Sequence, residues 1–332
     1  MPYYNKITVL GDGGWGTALA ILLHDKGCHV TLWSPFRDYA RILDQKRVNP
    51  YYLKGVKIPK SLFISSDLQE ALDCDLVVVA VPSQYLRGVL LKGARFYNRN
   101  VPVVSVVKGI ENGTLLRMSE VIKDVWHSRS IAVLSGPTIA QEVAAGIPTT
   151  VVVSSKDKKL MTDLQDIFMC AHFRVYANAD VAGVELGGSL KNIIAIACGV
   201  SDGLGFGTNT KAAILSRGLA EMSRLGIAMG AKRDTFSGVS GLGDLVTTCF
   251  NCLSRNHFVG EQIGKGVPLK KVMASMKMVA EGVTTVKAAL SLGKKYRIDL
   301  PITHEIYRVL FRGRSPKTAV KSLMLREKKI EL

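Results

Sequence analysis

Short runs of apolar and β-branched residues mark the first half of the chain. Lys6–Leu10 and His29–Trp33 come first, followed by 76–81, 103–107, 131–134 and 150–153 and by a last, more mixed segment, Phe173-Arg174-Val175-Tyr176. Runs that are apolar at nearly every position, rather than at alternate ones, predict strands covered on both faces, as in a mainly parallel sheet. Between the first two runs, Trp15, Ala18, Leu19, Leu22 and Leu23 recur at helical spacing until Gly27 offers a stop. From about Asp180 the strand signal ceases and the pattern is helical over 209–230, 281–297, 301–313 and 315–328. The prediction is an α/β domain over 1–178 and an all-α domain over 179–332, joined without a low-complexity linker and sharing a cleft. A length of 332 residues exceeds one comfortable core and favours the same division.

Gly11-Asp12-Gly13-Gly14-Trp15-Gly16 lies between the first strand and the first helix. Strand, glycine turn and helix in that order form a Rossmann-like dinucleotide fingerprint. Gly11 permits the turn, Gly13 lets the backbone approach a pyrophosphate, Gly16 allows helix against strand, and the helix amides hold the anion. The second strand ends in Ser34-Pro35-Phe36-Arg37, with no carboxylate at its tip to bind both ribose hydroxyls. With Arg37 close by, NADPH is the expected preference and NADH is possible; Asp38 is the acid that a later strand end would bring into play.

Three of the later runs end in polar groups: Pro82-Ser83-Gln84, Lys108-Gly109 and Ser135-Gly136-Pro137-Thr138. The carboxyl edge is where open α/β sheets bind ligands. In the second half, Lys191 interrupts an otherwise apolar helix. An ammonium removed from water loses basicity and can donate to a developing alkoxide; the ordinary alternative is a lysine whose stem packs while its head reaches water. Ser254-Arg255-Asn256 reads as a helix start, with a hydroxyl cap, a forked guanidinium and exposed amides suited to a phosphate.

Charge and cysteine usage narrow the partners. Forty-four Lys and Arg against 27 Asp and Glu give +17, which suits capture of small phosphorylated metabolites. The basic residues are spread along the chain without a recognition-helix or aromatic-sheet pattern, so no nucleic acid is expected. No apolar run approaches the ~20 residues of a membrane span, and the first strand begins too early for a signal peptide, which predicts a cytoplasmic protein without membrane insertion. Six dispersed cysteines argue against a disulfide framework. Cys249 and Cys252 have zinc spacing but only His257 as a close further ligand, so no metal is expected.

Along nearly its whole length the chain resembles the soluble bacterial NAD(P)-dependent glycerol-3-phosphate dehydrogenases. The resemblance is carried by the Gly11 to Gly16 turn, Val107-Lys108-Gly109, Ser135-Gly136-Pro137-Thr138-Ile139-Ala140, Glu185 to Asn192, Gly241-Leu242-Gly243-Asp244-Leu245, Ser254-Arg255-Asn256, Val279-Ala280-Glu281-Gly282 and Leu300-Pro301-Ile302. It implies a Rossmann-like domain, a helical domain and a homodimer that interconverts dihydroxyacetone phosphate and sn-glycerol 3-phosphate for phospholipid synthesis. By the same resemblance Lys191 is the proton donor and acceptor. Lys108, Gly136, Thr138, Asp244, Ser254, Arg255 and Asn256 match substrate residues, with Asp244 tethering either Lys191 or a substrate hydroxyl. Gly14, Trp15, Ala140, Val279 and Glu281 match cofactor residues, together with Lys108 and Arg255. Thr138 as a helix cap, Trp15 as core and Glu281 as a first-turn acid are the ordinary readings of those three. The rivals are a β-hydroxyacid dehydrogenase or ketopantoate reductase of similar build and a non-catalytic NAD(P)- or nucleic-acid-binding regulator; Ser254-Arg255-Asn256 favours a phosphate substrate.

Overall fold

The computed structural model describes residues 4–328 and 330. Among the described residues the first half supplies ten strands: β1 (Lys6–Leu10), β2 (His29–Trp33), β3 (Val48–Asn49), β4 (Leu53–Lys57), β5 (Phe63–Ser65), β6 (Leu76–Val79), β7 (Val103–Ser105), β8 (Ile131–Ser135), β9 (Thr149–Ser155) and β10 (Phe173–Asn178). Eight form one sheet in the order β5-β2-β1-β6-β7-β8-β9-β10, parallel at every pairing except β8 with β9; β3 and β4 make a separate hairpin. The continuous apolar runs have the predicted cause. Leu76 and Val78 of β6 pack in one layer with Leu19 and Leu23, whereas Val77 and Val79 pack in the other with Leu86, Leu90 and Trp126.

Strand order reverses between β1 and β6, so the loops after these strands diverge and leave a crevice. β6 and β7 stop at Val79 and Ser105, two residues short of the apolar runs. The hairpin and β5 carry no comparable run. In β4, only Leu53 is buried. The hairpin is held by Asn49, whose side chain donates to the Asp12 carbonyl (2.8 Å) and Thr17 Oγ1 (2.8 Å) and accepts from the Tyr39 hydroxyl (2.7 Å) and the Tyr52 amide (2.9 Å).

The second half is built around the helix Val181–Gly203. It is long and apolar enough to cross a membrane, a stretch that short-run counting missed, but 89% of its apolar window is buried inside the protein. A helix apolar on all sides needs neighbours on all sides, and it has them in the helices Thr208–Ala228, Asp244–Phe250, Arg255–Gly264, Glu281–Tyr296 and Pro301–Phe311. Its crossing with Arg255–Gly264 is backbone against backbone: a Cβ at Gly199 or Gly260 would stand 2.0 Å from the opposing carbonyl oxygen. The two halves are fastened by Glu185 of the central helix, which pairs with Arg117 and accepts from the Ser119 amide at 2.8 Å.

Candidate active site at the domain junction

Asp180 caps the central helix by accepting from the Gly183 amide (2.9 Å) and is itself held by Thr235 Oγ1 (2.7 Å). Eleven residues beyond that cap lies Lys191, 5% exposed. Gly187 and Gly188 make its surroundings reachable. A Cβ at Gly187 would lie 2.6 Å from the Ser240 carbonyl oxygen, and one at Gly188 would lie 2.5 Å from Ser135 Oγ. The single wide turn Val239–Gly243 therefore presses on the helix and delivers Asp244 as the first residue of Asp244–Phe250.

Asp244, 1% exposed, joins two lysines from the two halves. One oxygen accepts from Lys191 Nζ at 2.5 Å and the other from Lys108 Nζ at 2.7 Å. Lys191 also donates to Thr248 Oγ1, one helical turn beyond Asp244. Lys108 donates further to the Gly136 carbonyl (2.7 Å) and Thr138 Oγ1 (3.0 Å). Gly136 has φ +147°, and a Cβ there would meet the β9 backbone at 3.0 Å. Burial pulls the Lys191 ammonium down to about 8; Asp244 opposes that fall and Lys108 deepens it. The packed-stem alternative for Lys191 is thereby replaced: its head lies in the interior beside a carboxylate.

Thr138 is not a helix cap, because the helix Ala140–Ala144 starts after Ile139 without a side-chain cap bond and the Thr138 hydroxyl donates to the Gly136 carbonyl instead. Ser254 does cap, accepting from the His257 amide at 3.2 Å. Arg255 is exposed and gives one bond to the Val279 carbonyl (3.0 Å), leaving its other donors available to a ligand. Both ends of the Asn256 side-chain amide are occupied, by Asn192 Oδ1 (2.9 Å) and the Gly282 amide (2.9 Å). Asn192 in turn reaches the Lys108 carbonyl (3.4 Å), so the helix start at Ser254 is tied to both lysines. A cleft of about 600 Å³ runs beside this start, lined by Ser254, Arg255, Tyr51, Tyr52, Gln141 and Lys277 among others, with Lys191 and Lys108 outside its lining.

The glycine turn fits a dinucleotide. No atom lies within 4 Å of where a Cβ on Gly13 would stand, so the backbone there is open, whereas a Cβ on Gly16 would stand 2.0 Å from the Gly11 carbonyl oxygen. Gly11, at φ +125°, donates its amide to the Trp33 carbonyl (3.0 Å) and seats the turn on the end of β2. Gly14 faces the Tyr52 carbonyl and Ala140. Trp15 packs on the sheet core, yet its indole N–H is buried without a partner among the described residues. Glu281 opens the helix Glu281–Tyr296 and accepts from the amide (3.0 Å) and hydroxyl of Ser83, spanning the crevice. Arg37 is exposed at the start of Arg37–Lys46, and Asp38 faces Arg41 at 3.8 Å on the surface instead of the strand tip. The carboxylate at that tip is Asp12, which accepts from Ser34 Oγ at 2.5 Å.

Asp12, Asn49 and Thr248 are the residues the sequence analysis did not single out for a role, whereas Ser83 stood in one of its polar strand ends. For Thr248 the i, i+4 spacing from Asp244 was a usable signal; the others depend on chain segments that meet only in the fold. Cys249 and Cys252 do not converge, since Cys249 is buried and Cys252 is exposed; among the described residues no cluster of three metal-binding side chains occurs.

Residues 6–161 match the family model for the NAD-dependent glycerol-3-phosphate dehydrogenase N-terminus, and residues 180–321 match that for the C-terminus. The chain is 48% identical to an NAD(P)+-dependent glycerol-3-phosphate dehydrogenase from Pelotomaculum thermopropionicum, over 98% of this chain and 95% of the relative. It is 50% identical to that of a Thermoanaerobacter strain, over 98% and 99%. The crystal structure of glycerol-3-phosphate dehydrogenase from Coxiella burnetii superposes with a TM-score of 0.95 at 37% identity, covering 98% of this chain and all of the other.

Proposed function

Because the chain belongs to the NAD-dependent glycerol-3-phosphate dehydrogenase family, we propose that it interconverts dihydroxyacetone phosphate and sn-glycerol 3-phosphate, supplying the glycerol phosphate unit of membrane phospholipids. The observation that carries the reading is the Lys191–Asp244–Lys108 bridge, tied through Asn192 and Asn256 to a phosphate-suited helix start. When bound, the nicotinamide supplies the hydride in the reducing direction and accepts it in the other.

In reduction, Lys191 gives a proton from Nζ to the ketone oxygen, and in oxidation its neutral amine takes the proton back. Lys108 stabilises the same oxygen with its fixed charge. Asp244 and Thr248 orient the Lys191 head, and Gly136 and Thr138 orient that of Lys108. Arg255, Ser254 and the backbone amide of Asn256 hold the substrate phosphate. Gly11, Gly13, Gly14, Trp15 and Gly16 hold the cofactor pyrophosphate, with Ala140, Val279, Glu281, Lys108 and Arg255 toward the nicotinamide half. Arg37 beside the end of β2 favours NADPH, with NADH also accepted.

On this reading residues 1–178 are the cofactor domain and 179–332 the substrate domain. Six free cysteines suit a reducing, cytoplasmic setting. A homodimer follows from the family resemblance, and light scattering checks it. The test of function is loss of reduced-nicotinamide absorbance on adding dihydroxyacetone phosphate, with NADPH and NADH in parallel. Turnover with ketopantoate or 3-oxoacids but not with the triose phosphate would overturn the assignment.

A further inference from the structure

Asp12 is a buried acid with little to compensate it. It is 8% exposed; Oδ2 accepts from the Ser34 hydroxyl at 2.5 Å, and no hydrogen bond from another residue reaches Oδ1 among the described residues. Among the described residues no cation pairs with it, and burial raises its pKa. A carboxylate in that position costs free energy that an alanine would not, because the glycine fingerprint makes no demand on the side chain after its first glycine. The residue is also fixed in place. Its carbonyl accepts from Asn49 Nδ2 at 2.8 Å, and the neighbouring Gly11 amide docks on Trp33, the last residue of β2. Ser34, which orients the carboxyl, is fully buried and follows directly on Trp33.

The end of β2 is where dinucleotide-binding sheets place the acid that reads the adenosine ribose, and here the strand brings none. We propose that Asp12 supplies this acid from the glycine turn, accepting the ribose 2′-hydroxyl of NADH and opposing the 2′-phosphate of NADPH, with Ser34 as its positioning residue. Arg37 on the exposed side acts in the opposite sense. The pair makes the chain a dual-cofactor enzyme whose balance is set by two residues of opposite charge rather than by one at the strand tip. The inference rests on the nicotinamide-cofactor reading above.

The test is a fluorescence titration of the full-length protein with NADH and with NADPH, without substrate. Asp12→Ala should weaken NADH about tenfold or more while NADPH is unchanged or tightened, since a charge-assisted hydrogen bond is lost in one case and a repulsion in the other. Asp12→Asn keeps the shape and the Ser34 contact, so it serves where alanine disturbs folding, and it should tighten NADPH. Arg37→Ala should weaken NADPH alone. If wild-type protein binds neither nucleotide, the cofactor reading itself fails. If it binds them and the Asp12 variants shift both affinities equally, or neither, the role of Asp12 is overturned while the cofactor reading stands.

Discussion

Two buried carboxylates, one in each half of the chain, have opposite surroundings. Asp244 is 1% exposed and meets an ammonium on each oxygen; Asp12 is 8% exposed and meets one hydroxyl. A charge matched by two opposite charges belongs to the architecture, and removing it leaves cations stranded. A charge matched by a single neutral donor is incomplete until something else arrives, which is the signature of a group retained for a ligand. The comparison also separates the two lysines. Lys108 is fixed by three acceptors, whereas Lys191 has Asp244 and Thr248, and burial drives Lys191 toward neutrality.

The largest expected effect breaks the Asp244 cluster at its reactive member. Lys191→Ala should lower kcat by about 10²–10⁴-fold, the usual worth of a positioned acid-base group, while nucleotide binding and circular dichroism stay intact because Lys108 still neutralises Asp244. Near-normal turnover would remove Lys191 from the mechanism. Asp244→Asn should cost about 3 kcal/mol in denaturant unfolding, because a buried and a part-buried ammonium then share a neutral amide. A loss below ~1 kcal/mol would mean that solvent reaches the pair and that the contrast with Asp12 is overstated. Arg255→Ala should remove about 2–5 kcal/mol from kcat/KM, mostly through KM for the phosphate substrate. Unchanged KM would move the phosphate away from the Ser254 helix start.

The architecture was legible because the strands of a doubly covered sheet are written as local runs, such as Leu76 to Val79, and because Gly11 to Gly16 has its own spacing. Lys191 stood out because a charge in an apolar helix is a local anomaly. What stayed illegible depends on meetings between distant segments. Asp12 matters only once the glycine turn docks on Trp33, and the hairpin around Tyr51 and Tyr52 is held by Asn49 rather than by any periodicity of its own. Asn256 matched a substrate residue by resemblance, and nothing in its place at a helix start told that its side-chain amide is held by Asn192 and Gly282, which come from two other helices.

The smallest effect is the most specific to the Asp244 cluster. With Lys191 at about 8, roughly nine-tenths of it is protonated at pH 7 and about half at pH 8. The ammonium is the working form in reduction, so kcat/KM in that direction should fall about twofold over this interval; oxidation uses the neutral amine and its kcat/KM should rise about fivefold. Asp244 holds the value up and Lys108 holds it down, so the direction of a mutational shift is fixed in advance. Asp244→Asn removes the carboxylate and should move both inflections to lower pH, because the larger remaining forces, burial and the Lys108 charge, disfavour the ammonium and outweigh the smaller opposing effect of Cys249. Profiles of kcat/KM in each direction for wild type and this variant decide the matter. An inflection that stays put would show that the titrating group is not the lysine held by Asp244.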